Sequence, residues 1–164
     1  MPTKVPVISF DRTKTRLEWD DMRREYHTLV NSIPPSAFRH PTLVTRWTIA
    51  EILAHMVQTI ELMPRGIKSI RRGKNFMNLP VGILGPINFI LIKTQAQNIT
   101  PQALLSRYDQ AFTHAMQVWD GIQDDEWSLG ACLFGEGYKT LLDYYLHGLS
   151  HFKEHATQIR KSLP

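Results

Sequence analysis

A single cysteine, Cys132, stands in a chain of 164 residues. An internal disulfide is therefore excluded, as is a structural zinc site built on several cysteines, and a reducing cytoplasm is the expected location. Long apolar runs are also missing. The longest, residues 79–92, is broken by Pro80, Pro86 and Asn88 and falls short of the ~20 residues of a membrane-spanning helix. Residues 1–14 lack a sustained apolar stretch and carry Pro2 and Pro6, so no secretory leader is expected. Neither strand-like alternation nor an internal repeat is evident. Net charge is only +4, and Arg65, Lys68, Arg71, Arg72 and Lys74 are the one basic cluster. At helical spacing they spread over about half a cylinder, with Phe76 the sole aromatic nearby. That pattern reads as a solvated helix end rather than a nucleic-acid surface.

Apolar residues make up 43% of the chain and charged ones 21%, enough to bury one core, and a single domain over residues 1–164 is expected. Four segments carry helical periodicity. In the first, about residues 11–33, Thr15, Trp19, Met22, Tyr26, Leu29 and Ile33 form one stripe, and Pro34 and Pro35 stop it. The second opens with Thr48 as cap and Glu51 completing a capping box, with Trp47 placed to staple onto Ile52. Its stripe runs through Ile49, Ile52, Leu53, Met56, Ile60 and Met63 toward Arg72, with Pro64 expected to kink it or end it early and Gly73 to terminate it. The third begins with Thr100 as cap and Pro101 at the first helical position, and ends at Gly121. The fourth starts at Thr140, with Asp143 making a second capping box, and reaches about Ser162.

The fold class is therefore all-α, a four-helix bundle. The connection over residues 73–100 is too long for a tight turn. It predicts a crossover between helices two and three, which makes those helices parallel and the order up-down-down-up. Residues 79–92 are expected over one end of the bundle, as a cap or a short extra helix, where they seal the core, cover a ligand or pair two copies. Pro80, Gly82, Gly85 and Pro86 argue against a regular helix through the first half. Ile83, Leu84, Ile87, Phe89 and Ile90 then lack assured partners inside one chain, and a homodimer is expected.

Histidine is where the sequence becomes chemically specific. His151 and His155 lie four positions apart on the fourth helix, so both imidazoles project from one side and suit one metal ion. At roughly 100° per residue the apolar stripe centres near Tyr145 and Leu163, with His155 just off its edge, His151 further round, and His147 almost opposite, toward water. On the second helix His55 flanks its stripe in the same way. The three together would give three nitrogens and an open fourth position, the pattern of catalytic zinc sites. Surface or hydrogen-bonded core histidines are the alternative reading. Glu51, one turn from His55, is a candidate base or partner of that ligand, although its cap role explains it without catalysis. Gln158 follows His155 by about one turn, as a support for that ring or as polar packing. Glu154 points away from the stripe as a solvated carboxylate, and His27, His40 and His114 lack paired spacing. Nothing near Cys132 activates its thiol.

Trp47-Thr48-Ile49-Ala50-Glu51-Ile52-Leu53-Ala54-His55, followed by His151-Phe152-Lys153-Glu154-His155-Ala156-Thr157-Gln158-Ile159, resembles the DinB/YfiT-like superfamily of bacterial four-helix proteins. The order of the two motifs and their placement on helices two and four match. The resemblance implies an up-down-down-up bundle with a divalent metal, zinc or nickel, held by three histidines, which by position are His55, His151 and His155. It also implies a metal-dependent hydrolase or an enzyme that uses a low-molecular-weight thiol such as bacillithiol, mycothiol or glutathione. The extra His147 and the apolar stretch 79–92 depart from the pattern and leave the substrate open. A metal on neutral imidazoles keeps its charge and can lower the pKa of bound water or thiol, which serves both chemistries. Two classes stay open: a cytoplasmic metalloenzyme acting on a small molecule, and a non-catalytic bundle that binds metal or a small ligand.

Overall fold

The computed structural model describes residues 3–4, 9–43 and 46–163. Side-chain caps set most helix starts. Asp11 accepts the Lys14 N–H at 2.9 Å and opens α1 (Arg12–Ser32). Thr48 and Glu51 form the expected capping box of α2 (Ile49–Arg71). A further helix, α3 (Val81–Ala96), follows Pro80 without a side-chain cap. Thr100 opens α4 (Pro101–Asp120), and Thr140 with Asp143 boxes α5 (Leu141–Ser162). The four helices expected from periodicity are thus α1, α2, α4 and α5. Pro64 does not end α2, which continues unbroken to Arg71. Gly73 follows it with a positive φ, as a terminating residue does.

Two expectations need correction. Residues 81–96 form one regular helix despite Pro86, and most of it does not seal the core: Val81 is 60% and Ile90 64% exposed, and only Ile92 and Ala96 are buried. The structure holds α3 at its ends instead. Arg39 donates to the Ala96 and Gln97 carbonyls, each at 2.7 Å, satisfying acceptors that a helix C-terminus leaves free. The second correction is a small antiparallel sheet of β1 (Thr3–Lys4), β2 (Leu129–Cys132) and β3 (Tyr138–Thr140), in the order β1-β2-β3. Its β2–β3 hairpin leads straight into α5. The chain before α3 is bound to the same hairpin: the Phe76 N–H donates to the Cys132 carbonyl at 3.1 Å, and the Phe134 N–H to the Phe76 carbonyl at 3.0 Å. Gly135, at φ +72°, sits so close to the Leu79 carbonyl that a Cβ there would lie 2.2 Å from the oxygen.

α2 packs against α3, α4 and α5, and α1 against α4 and α5. The buried side chains of α1, α2, α4 and α5 form one cluster. Tyr26 and Tyr108 stack at 3.8 Å between ring centroids, and the buried Tyr26 hydroxyl donates to the Leu53 carbonyl. Gly148 on α5 admits the Trp19 ring of α1, whose nearest carbon would be 2.7 Å from a Cβ at that position. Among the described residues, α1, α2, α4, α5 and the small sheet enclose this core and leave α3 as a strap on the outside of α2. Among the described residues, no helix is long and apolar enough to cross a membrane.

Candidate metal centre

α2 delivers His55, and α5 delivers His151 and His155 one turn apart. The structure brings one ring nitrogen of each within 4.8 Å of the others. His55 Nε2 lies 3.3 Å, and His155 Nε2 3.1 Å, from His151 Nε2. His155 is buried, and the other two rings are partly so. Burial, with His155 as a secondary influence, pushes His55 down to about 4. Burial followed by the three neighbouring histidines pushes His151 down to about 3. Both rings are neutral at pH 7 and present a lone pair.

Gln158 decides which nitrogen of His155 does the same. Its Nε2 donates to Glu154 Oε1 at 3.2 Å, which turns its Oε1 toward His155 Nδ1 at 2.8 Å. An amide oxygen only accepts, so this assigns the proton to Nδ1 and leaves Nε2 bare. His155 Nε2 therefore offers its lone pair to His151 Nε2 at 3.1 Å, and a neutral imidazole at His55 and at His151 can turn a second and third lone pair to the same point, where a cation would accept all three. Two of the three separations match zinc: nitrogens bound to it tetrahedrally at ~2.0–2.1 Å lie about 3.3–3.4 Å apart, close to the contacts that His151 makes with His55 and His155.

The other expected residues are placed as follows. The Glu51 carboxylate accepts the Thr48 N–H at 2.7 Å, inside the capping box. His147 is partly open to water. Its side chain is 37% exposed, its ring lies 5.6 Å from that of His151 and its Nε2 3.9 Å from Glu136. His27 pairs with Asp109 at 2.9 Å, while His40 and His114 are exposed. Arg71, from the basic cluster, is bound to the Gly121 carbonyl and to Glu126. Cys132 is a free, half-buried thiol on β2. Sequence reasoning missed two features. Trp47, expected to staple onto Ile52, also lays its ring 4.8 Å from His55 and stacks toward Phe89 of α3 at 6.4 Å. Glu154, taken as merely solvated, orients Gln158; its i,i+4 spacing to Gln158 was the available signal. A cavity of about 300 Å³ opens from His55 and His151 and runs beneath α3.

Helices around a single core, with three converging imidazoles competent to bind a metal ion at the foot of a cavity, define the class. The chain belongs to the DinB superfamily, whose family profile matches residues 18–159. No curated protein matches it in sequence. Solved structures share its fold, among them the following three. An uncharacterised protein from Clostridium difficile 630 superposes with a TM-score of 0.72 at 17% identity, over 94% of this chain and 96% of that one. An uncharacterised protein from Escherichia coli UTI89 gives 0.71 at 12%, over 94% of each chain. A mycothiol-dependent maleylpyruvate isomerase gives 0.73 at 13%, over 92% of this chain and 61% of that one.

Proposed function

We propose that this chain is a divalent-metal-dependent enzyme of the DinB type, a hydrolase or a transferase of a low-molecular-weight thiol. His55, His151 and His155 hold zinc or nickel in it, and the cavity beneath α3 receives the small-molecule substrate. The convergence of three imidazoles, with His155 Nε2 left bare by the Gln158 contact, is the observation that carries this reading. Family membership and the likeness to a mycothiol-dependent isomerase support the thiol option. When bound, a divalent cation supplies positive charge that lowers the pKa of a water or thiol brought beside it. The chain's own residues do the rest: Gln158 and Glu154 fix the His155 ring, Trp47 covers one side of His55 from water, and the cavity wall positions the substrate. A catalytic part for Glu51 is tested by Glu51→Gln, which keeps an acceptor for the Thr48 N–H and removes the charge.

The same proposal includes a single domain over residues 1–164, an up-down-down-up order of α1, α2, α4 and α5 with α3 in the crossover, a cytoplasmic location, and a homodimer formed through the exposed apolar face of α3. Light scattering across a dilution series tests the dimer, and a monomer at every concentration refutes it. The metal is tested by titrating metal-free protein with zinc and with nickel in a calorimeter. One equivalent is expected, and no saturable binding of either ion defeats the proposal. A non-catalytic binding protein is the alternative, favoured by the preformed cavity. Turnover of thiol or ester substrates by the loaded protein, lost in His151→Ala, separates the two.

A further inference from the structure

His55 and His155 are each followed by a glutamine three positions on, Gln58 and Gln158, but only one of the two relays is complete. At His155 the Gln158 oxygen accepts the Nδ1 hydrogen at 2.8 Å, and the Gln158 nitrogen donates at 3.2 Å to Glu154, four positions earlier. Four positions before Gln58 stands Ala54, whose side chain accepts nothing. Gln58 is only 9% exposed and lies beside His55. Burial and then His155 lower the pKa of that ring, and Gln58 opposes them, as an amide oxygen turned toward an imidazole does. The bond is not closed, because His55 Nδ1 is buried without a partner. Nor does any described residue accept from the Gln58 nitrogen. The amide lines the cavity beneath α3, on one face of α2 with His55, Thr59 and Leu62. The other polar groups of the lining are placed differently. Thr59 donates its hydroxyl hydrogen to the His55 carbonyl at 3.0 Å. Glu136 pairs with Lys139 at 3.3 Å and lies 3.9 Å from His147. The Tyr144 hydroxyl is buried without a partner against Gly66, where a Cβ would lie 2.9 Å from it. Asn88 reaches the cavity from α3 and is half-buried. Gln58 alone combines near-complete burial, an open cavity and contact with a candidate ligand, and a buried amide nitrogen left without an acceptor is costly.

Resting on the metal-centre reading of the histidines, we infer that Gln58 is shared between the metal centre and the cavity: its oxygen accepts the Nδ1 hydrogen of His55, and its nitrogen donates to a carbonyl or carboxylate oxygen of the small molecule bound there. That oxygen does for Gln58 what Glu154 does for Gln158. Once it holds the nitrogen, the amide is fixed with its oxygen toward His55, which keeps the proton on Nδ1 and leaves the Nε2 lone pair toward His151. Ligand oxygen and metal then favour each other's binding. The charge of a bound divalent cation favours a carboxylate further.

The test uses full-length protein, zinc, and 2-hexanone, a neutral carbonyl probe that accepts hydrogen bonds and donates none. In metal-free protein the side-chain amide signals of Gln58 in a proton–nitrogen correlation spectrum should shift saturably as the ketone is added. Gln58→Leu and Gln58→Glu should each weaken ketone binding by about fivefold or more. Zinc, read by competition with a chromophoric chelator, separates the two variants. Gln58→Leu removes the acceptor for His55 and should bind zinc about 10–100-fold more weakly. Gln58→Glu keeps an acceptor oxygen and should bind zinc at least as tightly as the parent, a split that a packing role alone does not produce. No saturable ketone binding to the parent, unchanged ketone binding in Gln58→Leu, or equal loss of zinc in both variants would overturn the inference. The arms are separable: a parent that binds no zinc removes the metal reading, while the metal-free ketone titration still decides the Gln58 contact.

Discussion

The Nδ1–H of His155 is held by Gln158, and Gln158 by Glu154. Removing that anchor frees the ring without touching a ligand. Gln158→Leu should therefore lower zinc affinity by about 10–100-fold, read by competition with a chromophoric chelator, while the melting temperature of the metal-free protein changes little. The two depressed histidines make a second prediction. Unfolded, both rings titrate near about 6.5; folded, His55 titrates at about 4 and His151 at about 3. Between those values the unfolded chain binds more protons, so stability that is full above pH ~6.5 is lost as pH falls toward 4, by at most about 1.4 kcal/mol per pH unit for each ring. His151, being partly exposed, contributes less than that. Thermal melts of metal-free protein at pH 7.5, 6 and 5 should show a steady fall, which His55→Ala with His151→Ala flattens. A melting temperature independent of pH would show that the rings are not buried as neutral imidazoles.

α3 joins the molecule at its two ends, through the hairpin at residues 133–135 and through Arg39, with little of its middle buried. At dilutions where light scattering shows a single chain, amide hydrogen exchange should accordingly be much faster over residues 81–91 than over the middle of α2 or α5. Equal protection would mean that another surface covers the helix. Gly135→Ala places a side chain at φ +72° against the Leu79 carbonyl. It should cost about 1–2 kcal/mol from the backbone conformation alone and quicken exchange at the start of α3, both measurable on the metal-free protein. The difference in legibility between elements has a physical cause. The starts of α2, α4 and α5 were readable because a cap is a local event: Thr48, Thr100 and Thr140 each bond a backbone N–H three residues on. α3 was not, because Val81 to Ile92 is apolar on every side, so no stripe marks a period, and because Pro86, near the start of the helix, removes only one of its bonds. The short strands β2 and β3 leave too few residues for alternation to register. At the site, helical angles placed His55, His151 and His155 on facing flanks. They turned His147 toward water, and its side chain is 37% exposed; that it also borders the cavity under α3 only tertiary structure reveals.

Trp19, Tyr26, Tyr108, Trp119 and Tyr145 are fully buried in one apolar cluster, so the core is expected to form without metal. Metal-free protein should stay folded at pH 7.5, and excess zinc should stabilise it by about 2.7 kcal/mol at a free concentration one hundred times Kd. Gly148→Val, which drives a branched side chain into the Trp19 ring, should destabilise metal-free and loaded protein alike, by about 1–3 kcal/mol, because that contact belongs to the fold and not to the site. The histidine cluster behaves in the opposite way, and elemental analysis of protein purified without an affinity tag and equilibrated with zinc separates the two. One zinc per chain is expected in the parent, with loss of stoichiometric binding in each of His55→Ala, His151→Ala and His155→Ala and retention in His147→Ala. One zinc per chain in all three of the first variants would contradict the assignment of these residues as the metal centre.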